Sequence, residues 1–332
     1  MLAKAGEAIG IGLREKENMK NELVEAGGIH TRFLLGKYRV KIRTTKLLIE
    51  KRAINDSFIW GHPSNGIWGT AKWGDRRGSW NNVELKYDIQ KLTTAGREEI
   101  AKWLAGESAN YAQYAAFGDG TAEFSEDDTA LSGTEIDRVE TSADTNTDKI
   151  LDLQVEVKSA GNTLIGNTVS EVGIFNASSG GTLFTRYPFT SLSLTNDYEY
   201  RFTIRFELDD DGVYRGITTT AGLNAIRDWI GTGSITAPSH CAWGTGTTDP
   251  SASDTILEGE VVRNAITQTI RDGNSVTFET LLAASDATGQ TLYKSGIFNA
   301  SSGGTLFWEQ KFAQIAKTDA FQVFEIDNIL IT

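Results

Sequence analysis

A single cysteine, Cys241, stands in 332 residues. It rules out an internal disulfide framework and any multi-cysteine metal cluster. Proline (4) and histidine (3) are nearly as rare, and His30, His62 and His240 lie far apart in the chain. No apolar run reaches the roughly 18–20 residues that a spanning helix needs, so membrane insertion is not expected. The opening MLAKAGEAIGIGLREKENMK has no clean apolar core and no small-residue cleavage site, so no secretory signal is expected. Also missing are a Gly-x-Ser-x-Gly elbow, a phosphate loop ending in Gly-Lys-Ser/Thr, a dinucleotide fingerprint after a strand, and His-Glu-x-x-His. His240 and Cys241 are neighbours, but adjacent residues of a strand point to opposite faces. No catalytic residue, cofactor or resident metal is expected, and the chain reads as a non-enzyme.

Negative charge is in excess, with 44 Asp and Glu against 32 Lys and Arg. Residues 1–52 nevertheless carry a surplus of basic residues, so the body is more acidic than the total suggests. An acidic body disfavours nucleic acid, because phosphate binding needs a basic surface. The acidic runs Glu123, Glu126, Asp127, Asp128 and Asp209, Asp210, Asp211 could bind calcium. Neither has the spaced Asp-x-Asp-x-Asp-Gly loop, so they read as solvated loops.

What the chain does contain is a repeat. GIFNASSGGTLF occurs at 173–184 and again, unchanged, at 296–307. Thr93–Gly96 recurs at Thr219–Gly222, Gly118–Thr121 aligns with Gly244–Thr247, and Asp128–Leu131 aligns with Asp254–Leu257. Glu135 and Arg138 match Glu260 and Arg263. The order is co-linear, which is the mark of a tandem duplication. In each unit a Thr caps a short amphipathic helix, carrying Ile100, Trp103 and Leu104 or Leu223, Ile226 and Trp229, and a Gly (Gly106, Gly231) closes it. Strands of period two follow, such as Leu151, Leu153, Val155 and Val157. The repeated dozen reads as a hairpin. Its Phe175, Asn176, Gly180 and Gly181, and Phe298, Asn299, Gly303 and Gly304, surround a Ser-Ser-Gly-Gly loop whose glycines supply positive φ. Asn176 and Asn299 also fit the Asn-x-Ser glycosylation pattern.

The expected fold is mainly β, with tandem duplicated antiparallel β-sandwich domains, each preceded by a short helix. The expected division is an N-terminal basic helix or arm (1–46), a Trp/Gly-rich β segment (47–90), and β-sandwich repeats at 91–212 and 213–332. Residues 2–26 show helical spacing up to Gly27-Gly28, and Arg39, Lys41 and Arg43 alternate with apolar residues like a half-exposed strand. An arm of this kind would be removable without unfolding the repeats. Trp60, Trp68, Trp73 and Trp80 crowd the second segment and suit a core, a subunit interface or a stacking platform for sugar or nucleic acid.

The unit's pattern runs Thr-x-x-Gly, Gly-x-Gly-Thr, Asp-Thr-x-Leu, Glu-x-x-Arg, Glu-x-Gly-Ile/Leu-Phe. It resembles a module of tailed-phage virion proteins found in tail fibres, baseplates and neck appendages. The resemblance covers about residues 91–332. It departs at Lys294, near the position of Glu171 or Val172, which leaves the role of that carboxylate open. It implies a virion structural protein that assembles with other virion proteins as a homo-oligomer (trimer, pentamer or hexamer). Glu135 with Arg138 and Glu260 with Arg263 would then be structural pairs. The alternative is a module that binds host-surface glycan.

Overall fold

From Leu34 onward the chain alternates, with Leu34, Tyr38, Val40 and Ile42 buried and Leu35, Lys37, Arg39, Lys41 and Arg43 half-buried. Period-two burial of this kind is made by a strand with one face on a core. The computed structural model describes residues 23–26, 29–53, 80–86, 90–158, 162–210 and 216–332. In it these residues form β2 (Ile29–Ala53), a strand of 25 residues, preceded by β1 (Leu23–Ala26). The helix read from residues 2–26 is therefore corrected at 23–26, which pair with β2 as a strand; the rest of that segment lies outside the described residues. The expected free arm is corrected too. A strand hydrogen-bonded on both sides cannot hang from the body, and β2 is the middle of the largest sheet.

Two short strands, β3 (Asn81–Lys86) and β4 (Gln90–Lys91), also pair with β2. Helix α1 (Thr94–Leu104) then opens the first repeat, followed by β5 (Tyr114–Gly118), β6 (Glu135–Glu140), β7 (Ser142–Asp144), β8 (Ile150–Val157), β9 (Thr168–Phe175), β10 (Leu183–Ser193) and β11 (Tyr198–Asp210). The second repeat contains β12 (Gly216–Thr218), α2 (Thr220–Thr232), β13 (His240–Gly244), β14 (Glu260–Ala265), β15 (Gln268–Asp272), β16 (Ser275–Leu282), β17 (Thr291–Phe298), β18 (Leu306–Ala316) and β19 (Phe321–Ile331).

These strands form three sheets. The small ones run β10-β9-β5-β6 and β12-β18-β17-β13-β14, so duplicated strands occupy equivalent places. The large one runs β15-β16-β19-β2-β11-β8-β7 and takes strands from both repeats. Its seam is β2. The first half of β2 pairs in parallel with β19, from His30 opposite Phe321 to Val40 opposite Ile331. The second half pairs antiparallel with β11, from Val40 opposite Asp210 to Ala53 opposite Tyr198. Each small sheet lays its apolar face on the large one. Phe117 meets Phe202 edge-on at 4.8 Å, and Trp308 lies 6.3 Å from Phe278 and 6.0 Å from Tyr38. One continuous cluster of buried residues joins β2 to both repeats.

Both helices start as the sequence predicts. Thr93 and Thr219 accept from the amides of Gly96 and Gly222, which satisfies donors orphaned by the first turn. Gly96 and Gly222 also lie against the backbone of Phe184 and Phe307, where a Cβ would collide. Gly106 follows the first helix with φ +74. The second is closed by Gly233 (φ +66) and not by Gly231, which lies inside the helix and presses on Leu151 and Ala143. The helices cross over. Helix α1 packs on β10 of its own repeat and on β16 and β19 of the other, while α2 packs on β18 and on β7, β8 and β11. Trp103 and Trp229 stack between them at 4.9 Å.

Candidate functional site

The repeated hairpin is built from its ends inward. β9 and β10 pair up to Leu183 opposite Phe175, and β17 and β18 up to Leu306 opposite Phe298. Between them the chain must reverse, and Gly180 and Gly181 do so with φ +58 and +75, Gly303 and Gly304 with φ +58 and +73. A side chain at these positions would be strained. Asn176 Oδ1 accepts from the Thr182 amide and Asn299 Oδ1 from the Thr305 amide, both at 2.7 Å. Nearly every residue of the repeated dozen thus has an internal task.

One arginine per copy then pins the loop from β6 or β14, two strands away from β9 or β17 in its sheet. The Arg138 guanidinium lies 3.9 Å over the Phe175 ring and donates to the carbonyls of Ala177 (2.8 Å) and Gly180 (2.7 Å). Arg263 lies 3.6 Å over Phe298 and donates to Ala300 (3.0 Å) and Gly303 (2.7 Å). Glu135 and Glu260 hold these guanidinia through fork-like pairs at 2.7 and 2.6 Å. A planar guanidinium suits this work because it stacks by its face while donating by its edge. The Glu-x-x-Arg spacing expected to give structural pairs does give ion pairs, and Arg also reads the loop.

Two residues of the dozen have no such task. Ser178 and Ser179 are exposed at the loop tip, as are Ser301 and Ser302. The strands that carry them have changed just outside the dozen even where buried: Glu171 and Val172 become Lys294 and Ser295, and Thr185 and Arg186 become Trp308 and Glu309. The exposed serines are the same in both.

The other sequence candidates are dispersed. Arg39, Lys41 and Arg43 sit half-buried in mid-sheet on β2, on the face opposite Val40 and Ile42. Nearby cross-strand pairs line the sheet, Arg201 with Glu50 and Arg205 with Asp152, each at 2.7 Å. Trp80 is filled on its faces by Arg52 and Arg201, 4.4 and 4.5 Å from the ring; Trp60, Trp68 and Trp73 lie outside the described residues. The acidic run near Glu126 is used internally. Glu126 pairs with Lys91 and Arg97, and its carboxyl is held below the usual range chiefly by Lys91. Asp128 accepts from Arg186 at 2.7 Å. Asn176 is buried and donates to Glu99 at 3.3 Å.

Cys241 and His240 do point apart. Cys241 is in the core, and His240 Nδ1 bonds the Ser239 hydroxyl at 2.8 Å. Burial and the charge of Arg263 hold His240 below its ordinary pKa. Among the described residues, Cys241, Glu325 and Asp327 are brought together with ligand atoms within 4.8 Å of one another. Sequence reasoning missed this group, since β13 and β19 supply it from positions far apart.

The arrangement as a whole defines a mainly β protein of several sheets, presenting two arginine-pinned loops. No family model, no curated protein and no solved structure matches the chain.

Proposed function

We propose that the chain is a structural protein of a tailed virus particle, built of two tandem antiparallel β-sandwich modules that share a sheet. It assembles symmetrically with copies of itself and with other virion proteins in a tail, baseplate, neck or capsid appendage. The observation that carries this reading is the pair of identical, exposed Ser-Ser tips on duplicated hairpins whose strands have diverged outside the repeated dozen. Internal packing accounts for the glycines, asparagine and phenylalanine beneath them and leaves the serines to an outside contact made twice. A chain that offers one surface in two places suits repeating architecture, where closed symmetric assemblies predominate. The resemblance of the ordered motifs to virion modules points the same way.

Light scattering on the purified chain tests it. A closed oligomer of defined mass, reduced to monomer by Ser178→Lys with Ser301→Lys, is the expected result. A wild-type monomer that binds a sugar on a glycan array would replace assembly with carbohydrate recognition.

A further inference from the structure

The two copies differ most sharply in one corner of the core. In the first, Ala115, Val172, Phe202 and Ile204 fill the space between the small and large sheets. Cys241 stands 126 positions after Ala115, and Ser295, Glu325 and Asp327 stand 123 positions after Val172, Phe202 and Ile204. The pairing registers make these true equivalents: Phe202 and Ile204 lie opposite Val155 and Leu153, and Glu325 and Asp327 opposite Thr280 and Phe278. The duplication thus supplies its own control. The same fold closes this corner with hydrocarbon in one copy and with a thiol, a hydroxyl and two carboxyls in the other.

Burying such groups is costly unless each is compensated. Glu325 and Asp327 are each 1% exposed and Cys241 is fully buried. The compensation visible is partial. Glu325 Oε1 accepts from Ser295 Oγ and from Gln310 Nε2 (2.8 Å). Among the described residues, Glu325 Oε2, Asp327 Oδ2 and the Trp243 indole nitrogen have no well-formed hydrogen bond, though Trp243 and Cys241 bear on Glu325 and Tyr38 on Asp327. Among the described residues, the groups that bear on the two carboxyls are Tyr38, Cys241, Trp243, Ser295, Gln310 and each other. Space is kept for the group from the other side as well, because a Cβ on Gly36 would strike Asp327 Oδ1. Two acids side by side in a dry core either keep their protons or take a positive charge between them, and a thiol within reach of both suits the second.

We propose that Cys241, Glu325 and Asp327 form a buried site for a divalent transition-metal ion, with zinc the best match to the donor set. A thiolate with two carboxylates supplies three ligands of a tetrahedral ion, and the sulfur favours zinc over magnesium or calcium. Ser295, through its hydrogen bond to Glu325, orients that carboxylate as outer partners of metal ligands do. The ion is structural. It is enclosed as the second copy folds, and it does in that copy what Phe202 and Ile204 do in the first. The site is independent of the assembly role proposed above.

The test refolds the full chain from denaturant with zinc, with cobalt, or with EDTA, then measures metal after dialysis. The expected result is about one equivalent of zinc per chain, and with cobalt a near-ultraviolet thiolate charge-transfer band. Cys241→Ala, which installs the first copy's residue, should abolish the band. Glu325→Gln should lower zinc affinity on the order of 10-fold or more. Wild-type protein that refolds and retains no metal under any of these conditions overturns the site. So does a folded Cys241→Ala chain that binds cobalt with the band unchanged. Should Cys241→Ala fail to fold, the metal content of wild-type protein as purified decides, and a metal-free, fully folded chain sinks the idea.

Discussion

In the first copy Glu171 on β9 faces Arg186 on β10 at 3.1 Å, while in the second Lys294 on β17 faces Glu309 on β18 at 2.8 Å. The positions are equivalent and the charges are exchanged. A third residue follows the exchange. Ser132 donates to Glu171 from its amide and hydroxyl, and 126 positions later stands Glu258, 3.5 Å from the Lys294 ammonium. Glu309 remains raised above the usual carboxyl range, since burial outweighs the pull of Lys294. Glu171 ties the Gly-x-Gly-Thr turn and the segment before β6 to the sheet by accepting from the Gly120 and Gly133 amides, and Lys294 donates to Thr248 just past the second turn. Glu171→Lys alone sets an ammonium against Arg186 and should cost about 3–5 kcal/mol, the loss typical of a broken buried pair. Adding Arg186→Glu and Ser132→Glu should return most of it, read from urea unfolding midpoints. A triple variant no more stable than the single would show that the exchange is not a compensated unit. In the sequence Lys294 looked only like a lost carboxylate. Its partner Glu309 lies on the next strand, so the exchange shows only once β17 is paired with β18.

Helices α1 and α2 each rest on the other repeat's half of the large sheet, and their meeting point is the Trp103–Trp229 stack. Trp103 also donates its indole N–H to Ile235 of the second repeat at 3.1 Å. Trp103→Ala should therefore destabilise by about 3–5 kcal/mol, as aromatic truncations in cores do. Hydrogen exchange should accelerate in both β8 and β16, whereas a change confined to one repeat would contradict the crossed packing. The helix starts were legible, because a Thr cap acts within a single turn. The hairpins were legible too, because glycine φ and strand pairing are set by residues close in sequence. The long strand was read only in part. Arg39 to Arg43 showed the right alternation, yet the strands that make β2 central are β11 and β19, more than a hundred residues away. Nothing local distinguishes a central strand of that kind from a basic arm. The acid and thiol group in the core was invisible for the same reason.

A chain whose two repeats hang on one strand should not come apart into repeats. Without residues 1–46, β19 loses its parallel partner, and Tyr38, Val40 and Ile42 leave the core shared by both repeats. Such a truncation should lose its near-ultraviolet circular dichroism and elute as aggregate. A truncated chain with a native spectrum would refute the central role of β2. The ten-stranded sheet has a further consequence for the two serine tips. Because β9-β10 and β17-β18 are both braced on strands hydrogen-bonded to the same 25-residue backbone, the distance between the tips is a built-in gauge. In the proposed assembly role, a partner that engages both tips must repeat its docking points at that interval, and the sheet would then set spacing as well as surface chemistry.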